Sequence, residues 1–564
     1  MGLSFFVTTR EFKSFFEKKS LVVVFVFFFV YLVTRSPIYF GDGFQWISVA
    51  SSGDPTKSGF GDIGHFLQVP LVFLLSKILD VFEVSPDLIF LSVNLISTLL
   101  TAYLLGYFVF LLLSETEARK EDLLFVREIT TFFFATALLA VLQWNGEIFS
   151  LPQTFLLISV VFFLKDKRTI SLVFWVLSVL SHSEFALVAP VFFAIEFREE
   201  ISKIRIKGFF HLLWQKRAKK IYSFYTISAI STVVGLLFLG AVFKKWNSPS
   251  SLYAWVHQGY LERAQYINKG FSPIKAVKGL FTAFCSGGNF IGDVFSFRAQ
   301  YSEPMYVFAL FVSIVLFILT VFLIYKSYEK KGIVWIFIFW LTPLQIFFNW
   351  RLLPQVPKYH AGSLPAFICL VSIGAYTLLI DKNFKKFAKP LLYGFCILLF
   401  SLNFIGSVLP IASYSQSMLS SVNSIKGIIS DSPNNPLFIC CDDEFVLTQS
   451  GADYLKAKTF LVQYPRASLS EIRDLIKQKV LLEAIHRPVY LLGDSCRAFH
   501  WQYEVPRAQP LDNETMYFSF EFLHSIAIWK EPEVKQIPLN YVNQANPFSW
   551  RYSDLYPLHI PDGI

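Results

Sequence analysis

The chain has 564 residues, of which 54% are hydrophobic and only 16% charged, where soluble domains carry about 25% charged residues. Its mean hydropathy is +0.50, and 64 Phe and 25 Tyr add bulk that a water-facing surface cannot absorb. This composition excludes a disordered chain, a nucleic-acid-binding protein and a plain soluble enzyme, and points to a polytopic membrane protein with some soluble mass. The net charge of +9 is unevenly placed. Residues 413–564 hold 13 Lys/Arg against 17 Asp/Glu, so the excess of positive charge belongs to the apolar part. Six Cys make no disulfide framework: Cys369 and Cys396 lie in apolar runs, and Cys440 and Cys441 are adjacent.

A helical span needs roughly 20 apolar residues, or about 17 with snorkelling flanks. On that basis the sequence predicts about eleven transmembrane helices, at 20–34, 88–113, 129–144, 149–164, 169–182, 185–197, 223–243, 303–325, 333–349, 361–381 and 390–412. The first follows Arg10, Lys13, Lys18 and Lys19 like a signal sequence, but Arg35 and Pro37 stand where a cleavage site belongs, so the span is expected to stay. The stretch 65–82 is apolar yet interrupted by Pro70, Lys77 and Asp80, and reads as an interfacial helix within a first outer loop, 35–87. With 65–82 outside the membrane, the expected cytoplasmic segments hold 25 Lys/Arg and the outer loops 12. The positive-inside rule then puts the N-terminus in the cytoplasm, and an odd span count puts the C-terminus outside.

The transmembrane domain is thus expected over 1–412, and an extracytoplasmic soluble α/β domain over 413–564. In the latter, Pro436–Cys441 and Pro488–Leu492 read as strands, Ser468–His486 as an amphipathic helix and Phe518–Trp529 as further strand. The end, Tyr541–Ile564, rich in aromatics and Pro, reads as irregular coil.

Charged residues at an apolar boundary are costly and usually have a role. Asp42 sits about seven residues past the first span, within Phe40-Gly41-Asp42-Gly43-Phe44-Gln45. Glycines on both sides let the backbone turn tightly, and a carboxylate there can take a proton from an acceptor hydroxyl or amine; a solvated turn is the plainer alternative. Further along stands Gly64-His65-Phe66-Leu67-Gln68-Val69-Pro70-Leu71.

This order of first span, Gly-Asp-Gly loop and Gly-His-x-x-x-x-Pro-Leu resembles the GT-C superfamily of glycosyltransferases, which use polyprenyl-phosphate-linked sugars, as the protein O-mannosyltransferase and aminoarabinose transferase families do. Gly41, Asp42, His65, Pro70 and Leu71 match the pattern Gly-Asp-Ser-Gly-Glu … His-Pro-Pro-Gly-Tyr-Pro-Leu. Gln45 departs from its Glu, and Phe66 and Leu67 from its Pro-Pro. The resemblance covers 1–412. It implies a GT-C-like fold and an integral membrane glycosyltransferase, hexosyl or pentosyl. Such an enzyme moves a sugar from a polyprenyl-phosphate carrier to an extracytoplasmic protein, lipid or glycan, by inverting displacement, in a bacterial inner membrane.

It also implies a second carboxylate between the third and fourth spans. Glu147 stands there, in Gln143-Trp144-Asn145-Gly146-Glu147, and serves equally as a cap of a short turn. The next outer turn, Ser181-His182-Ser183-Glu184, is a polar island where the family has polar residues. His182 and Glu184 are candidates for contact with phosphate or sugar, against simple solvation. The turn 349–360 contains Arg351, Lys358 and Tyr359 and resembles the family's Arg-Tyr-x-x-Pro-x-x-Pro entry to a late span. Either cation could neutralise the departing lipid phosphate, or merely anchor at the interface. No Asp-x-Asp pair and no His/Cys cluster of ligand spacing appears, so neither metal nor other cofactor is expected. A catalytically inactive member of the fold, suggested by Gln45, and a transporter or flippase are the alternatives. Sparse charge within the spans argues against transport.

Overall fold

A computed structural model of the chain describes residues 17–34, 47, 49–50, 67–116, 119–146, 148–203, 211–243, 248–254, 272–286, 303–349, 357–408, 419, 422–432, 434–440, 447, 450–456, 469–484, 486–492, 528–529, 536–539 and 551–559. It divides into two compact units, the first ending at Pro410 and the second running from Ile411.

The first unit is helical. Its helices are α1 (Lys18–Val33), α2 (Gln68–Leu79), α3 (Pro86–Ser114), α4 (Lys120–Thr136), α5 (Leu138–Trp144), α6 (Ser150–Leu164), α7 (Arg168–Ser181), α8 (Pro190–Glu196) and α9 (Arg198–Lys203). There follow α10 (Lys216–Phe243), α11 (Pro273–Phe284), α12 (Glu303–Ser327), α13 (Lys331–Asn349), α14 (Leu364–Ile380) and α15 (Lys385–Asn403). Several starts are written in the sequence. Pro86 and Pro365 occupy first-turn positions, where proline's fixed φ suits a helix and its missing N–H costs nothing. The break between α4 and α5 falls at Ala137, whose extended backbone (φ −60°, ψ 143°) turns the chain by 58°.

α14 is buried on every side from Leu364 to Leu379 and, with α3, forms the axis of the bundle. Its approach to α12 is close: a Cβ on Gly374 would lie 1.8 Å from the Leu323 carbonyl oxygen. Gly106 of α3 is similar, with the Arg127 carbonyl oxygen of α4 2.7 Å from where its Cβ would be. Helices at the rim expose apolar side chains instead, as Ile227, Ile230 and Val234 of α10 and Phe308 and Phe311 of α12 do.

The expectation of eleven spans is not upheld. Among the described residues, four helical stretches are long and apolar enough to cross a bilayer: Pro86–Ser114, Lys216–Val242, Val307–Phe347 and Lys385–Val408. The bent pair α4–α5 makes a fifth if counted as one span. The reason is length. α1, α6, α7 and α14 have 16, 15, 14 and 17 residues, and at about 1.5 Å per residue they fall short of a hydrocarbon core roughly 30 Å thick. The run 185–197 is a 3₁₀ turn, Ser183–Val188, followed by the seven-residue α8. The two spans read at 303–325 and 333–349 follow one another within a single stretch of 41 residues. The protein is a polytopic helical membrane protein, and an odd count no longer fixes which side holds its C-terminus.

The expected interfacial segment contains α2, of 12 residues, and a 3₁₀ turn at Asp80–Phe82. The buried side chains of α2 cluster at its start, Gln68 to Val72, while Leu74, Ile78, Val81 and Phe82 are exposed beyond it.

Of the α/β domain expected over 413–564, only part lies among the described residues. Its described residues form β1 (Leu437–Cys440), β2 (Asp453–Lys456), α16 (Leu469–Ala484), β3 (Val489–Leu492), β4 (Ile528–Trp529), β5 (Gln536–Leu539) and β6 (Arg551–His559). The sheet order is β2-β1-β3-β6-β4, with β5 also paired to β6. β1 pairs in parallel with β2 and β3, placing Phe438 opposite Tyr454 and Tyr490. β6 runs antiparallel to β3, with Leu491 opposite Tyr556. The strand read over 518–529 is described only as Ile528–Trp529. The tail read as coil contains the nine-residue β6, because β3 offers it an edge that composition does not reveal.

Candidate functional site

The two ends of the helical unit differ in chemistry. One end is charged. Arg168 bonds Glu196 at 2.5 Å, Arg217 reaches Glu196 and Glu200, and Arg198 pairs with Glu115. Lys326 bonds Asp381 at 2.9 Å, and Lys19 lies 3.8 Å from Glu128. Arg127, fully buried, stands among the rings of Tyr103, Tyr107 and Phe110 at 5.0, 5.2 and 5.8 Å.

The other end is lined by amides, hydroxyls and two turns that carry charge. The C-terminus of α5, the N-terminus of α6, the turn after α7 and the 3₁₀ turn Pro357–His360 meet there. Asn145 bonds back to the Val141 carbonyl at 2.8 Å, and Gly146, at φ 132°, turns the chain into α6 where a side chain would be strained. Trp144 donates to the Tyr31 carbonyl at the end of α1 at 3.0 Å. Gln143 donates to Gln153 at 2.8 Å, and Gln153 donates to the Ala361 carbonyl at 2.6 Å, linking α5 and α6 to the start of α14. At the start of α2, Gln68 donates to Asn94 of α3 at 2.8 Å, and Ser150 donates to the same oxygen at 3.3 Å. Among the described residues, Gln68 Oε1, Asn94 Nδ2 and Gln143 Oε1 are buried without a hydrogen-bond partner. Unsatisfied buried polar atoms are rare and mark a place where polar matter belongs.

His182 and Glu184 are brought together. His182 is extended (φ −155°), and its Nδ1 accepts the Glu184 amide at 3.3 Å, leaving the proton of the neutral ring on Nε2. The Glu184 carboxylate lies 3.9 Å from the same nitrogen. Both residues are buried, and Phe149 packs on the imidazole at 4.8 Å. Lys358 is only 7% exposed and lies 5.7 Å from the ring centre of Tyr359. His360 beside it is fully buried; Gln345 of α13 stands 3.4 Å from its Nδ1 and donates to Ser363 at 3.1 Å. Trp340 donates to the Gly362 carbonyl at 2.8 Å and fixes the same turn.

Asp42, His65, Glu147 and Arg351 lie outside the described residues. Of their neighbours, Gly146 and Ile148 bracket Glu147, and Leu67 stands two residues past His65. The described candidates fall on two turns joined through Phe149, α6 and the Gln153–Ala361 bond. His360, Gln345, Gln143, Gln153, Gln68 and Asn94 were not singled out from sequence. The available signal was a lone amide within an apolar run, at Asn94, Gln153 and Gln345. Among the described residues, no three His, Cys, Asp or Glu side chains gather in a way that could hold a metal ion.

No family model and no curated protein matches the chain. Among solved structures it is similar to ArnT from Cupriavidus metallidurans, crystallised bound to undecaprenyl phosphate. The identity is 10% and the TM-score 0.47, over 85% of this chain and 93% of that one. It is also similar to the Archaeoglobus fulgidus oligosaccharyltransferase tethered to an acceptor peptide containing the NVT sequon. There the identity is 10% and the TM-score 0.42, over 78% of this chain and 64% of that one. Likeness at this level carries no argument about chemistry, which rests on the residues themselves.

Proposed function

We propose that the chain is an integral membrane glycosyltransferase that moves a sugar from a polyprenyl-phosphate carrier to an extracytoplasmic protein, lipid or glycan acceptor. The observation that carries this reading is the polar end of the bundle, opposite its charged end. It gathers the turns flanking Glu147 with the His182–Glu184 pair and the Lys358–Tyr359 turn. The Gly41-Asp42-Gly43 loop and His65 add the motif of the GT-C pattern.

In this reading the polar end faces outward. The charged end, rich in described Lys and Arg, suits the cytoplasmic side under the positive-inside rule. Lys358 supplies a positive charge where little water competes, which suits a lipid phosphate. Asp42 accepts the proton of the acceptor as its oxygen or nitrogen bonds to the anomeric carbon. The bond from that carbon to the phosphate oxygen breaks, and polyprenyl phosphate leaves with its charge held by Lys358, assisted by Arg351. Glu147 orients the acceptor. His182, with Glu184 beside it, borders the sugar or phosphate, and Tyr359 and His65 border the donor.

Deleting the gene and profiling lipid-linked sugars and glycoconjugates by mass spectrometry tests this. One polyprenyl-phosphate sugar is expected to accumulate while one glycoconjugate loses a sugar. Unchanged profiles in both pools would contradict the proposal.

A further inference from the structure

We propose that the start of α10 is a binding surface for the headgroups of anionic phospholipids. The helix is pinned by one face. Ala218, Ile221, Phe224 and Ser228 are buried, Trp175 of α7 stacks on Phe224 at 5.6 Å, and Tyr225 donates to the Ala189 carbonyl at 2.7 Å. Its rotation is thereby fixed, and the opposite stripe is exposed along its length. That stripe reads Lys216, Lys220, Ser223, Ile227, Ile230 and Val234, at the three- and four-residue spacing of one helical face. Ile227, Ile230 and Val234 are 52%, 59% and 57% exposed, and only 11% of the apolar stretch of this span is buried. The face that meets the acyl chains therefore ends in lysines, Lys220 about 10 Å below Ile227 along the axis. That distance, with the reach of a lysine, sets the ammonium at headgroup level.

Three further observations favour a negatively charged occupant at the membrane surface. Lys216, Lys219 and Lys220 are exposed and make no ion pair among the described residues, whereas the neighbouring Glu196 and Glu200 are engaged by Arg217. Trp214 is 83% exposed beside them, although the turn that carries it is held by the buried Leu212 and by a 2.8 Å bond from Tyr222 to the Leu213 carbonyl. An indole displayed from a fixed turn next to a span is placed as interfacial tryptophans are. α15 starts in the same way, with Lys385 and Lys386 exposed beside Phe387, which is 71% exposed. Each lysine near an anionic surface contributes roughly a factor of five in affinity.

The test uses the full chain in nanodiscs, with brominated phosphatidylglycerol or brominated phosphatidylcholine as the minor lipid. The Trp214 signal is isolated as the difference between the wild type and Trp214→Phe. Phosphatidylglycerol is expected to quench Trp214 at about tenfold or more lower mole fraction than phosphatidylcholine. The triple variant Lys216→Gln, Lys219→Gln, Lys220→Gln should lose this preference, and the corresponding triple Arg variant should keep it, which separates charge from folding. Equal quenching by the two lipids in the wild type overturns the proposal, as does a preference that survives in the Gln variant. Displacement by millimolar inorganic phosphate also overturns it, since the surface would then be a site for free anions.

Discussion

Lys358 is the residue on which the proposed charge stabilisation can be probed. It lies in a short turn, and its surroundings are fixed by Trp340 and Gln153 through neighbouring backbone carbonyls. Removing a charge-assisted contact to phosphate costs about 1.5–3 kcal/mol, so Lys358→Met should lower kcat/KM for the lipid-linked donor roughly 10- to 100-fold, mostly through KM. Lys358→Arg should retain part of this, since the charge stays while the geometry changes. Steady-state kinetics on the purified protein checks both. The placement of His182, Glu184 and Lys358 at turns between apolar runs was legible in the sequence, because the expense of charge beside lipid singles such positions out. His360 was not, because a histidine that ends a polar turn carries no signal of burial. The amides were not either: Gln143 donates to Gln153, and Gln153 to the Ala361 carbonyl, 208 residues further along the chain.

At the scale of elements, the tightest joint in the bundle is α14 against α12. Gly374→Ala would drive a Cβ into the Leu323 backbone at 1.8 Å, where no flexible side chain can yield. Overpacking of this kind costs about 1–3 kcal/mol or more, so the melting temperature should fall by several degrees. Gly394→Ala in α15 is the matched control. Nothing lies within 4 Å of its Cβ, and the gain in helix propensity, up to about 1 kcal/mol, should leave stability equal or slightly higher. Thermal unfolding in detergent distinguishes the two. Helix positions were largely readable from apolar runs, because burial in lipid or protein demands the same side chains. Helix lengths were not. An apolar run does not say where a 3₁₀ turn such as Ser183–Val188, or an extended residue such as Ala137, ends a helix; these interruptions, the shortness of α1, α6, α7 and α14, and the joining of two expected spans in Val307–Phe347 separate eleven expected spans from four or five. The register that recruits β6 to β3 is likewise a long-range pairing.

For the whole molecule, the contrast between a charged end and a polar end makes a directional prediction. Lys275, exposed on α11, which packs against the Pro357–His360 turn, belongs to the polar end; Trp214 belongs to the charged end. Labelled above the background of the six native cysteines, Lys275→Cys should react with an impermeant maleimide from outside the cell, and Trp214→Cys only after the membrane is opened. The reverse pattern would turn the site toward the cytoplasm. The central claim is that this membrane protein transfers a sugar with Asp42 as base. It is tested by the rate at which purified wild type, Asp42→Asn and, as a control twelve residues further along the sequence in a Ser/Gly stretch, Asp54→Asn release polyprenyl phosphate from the lipid-linked sugar that accumulates in the deletion strain. A loss of about 10²–10⁴-fold is expected for Asp42→Asn, the usual contribution of a positioned general base, and wild-type rates for Asp54→Asn. Full activity in Asp42→Asn, or an equal loss in both variants, would contradict it.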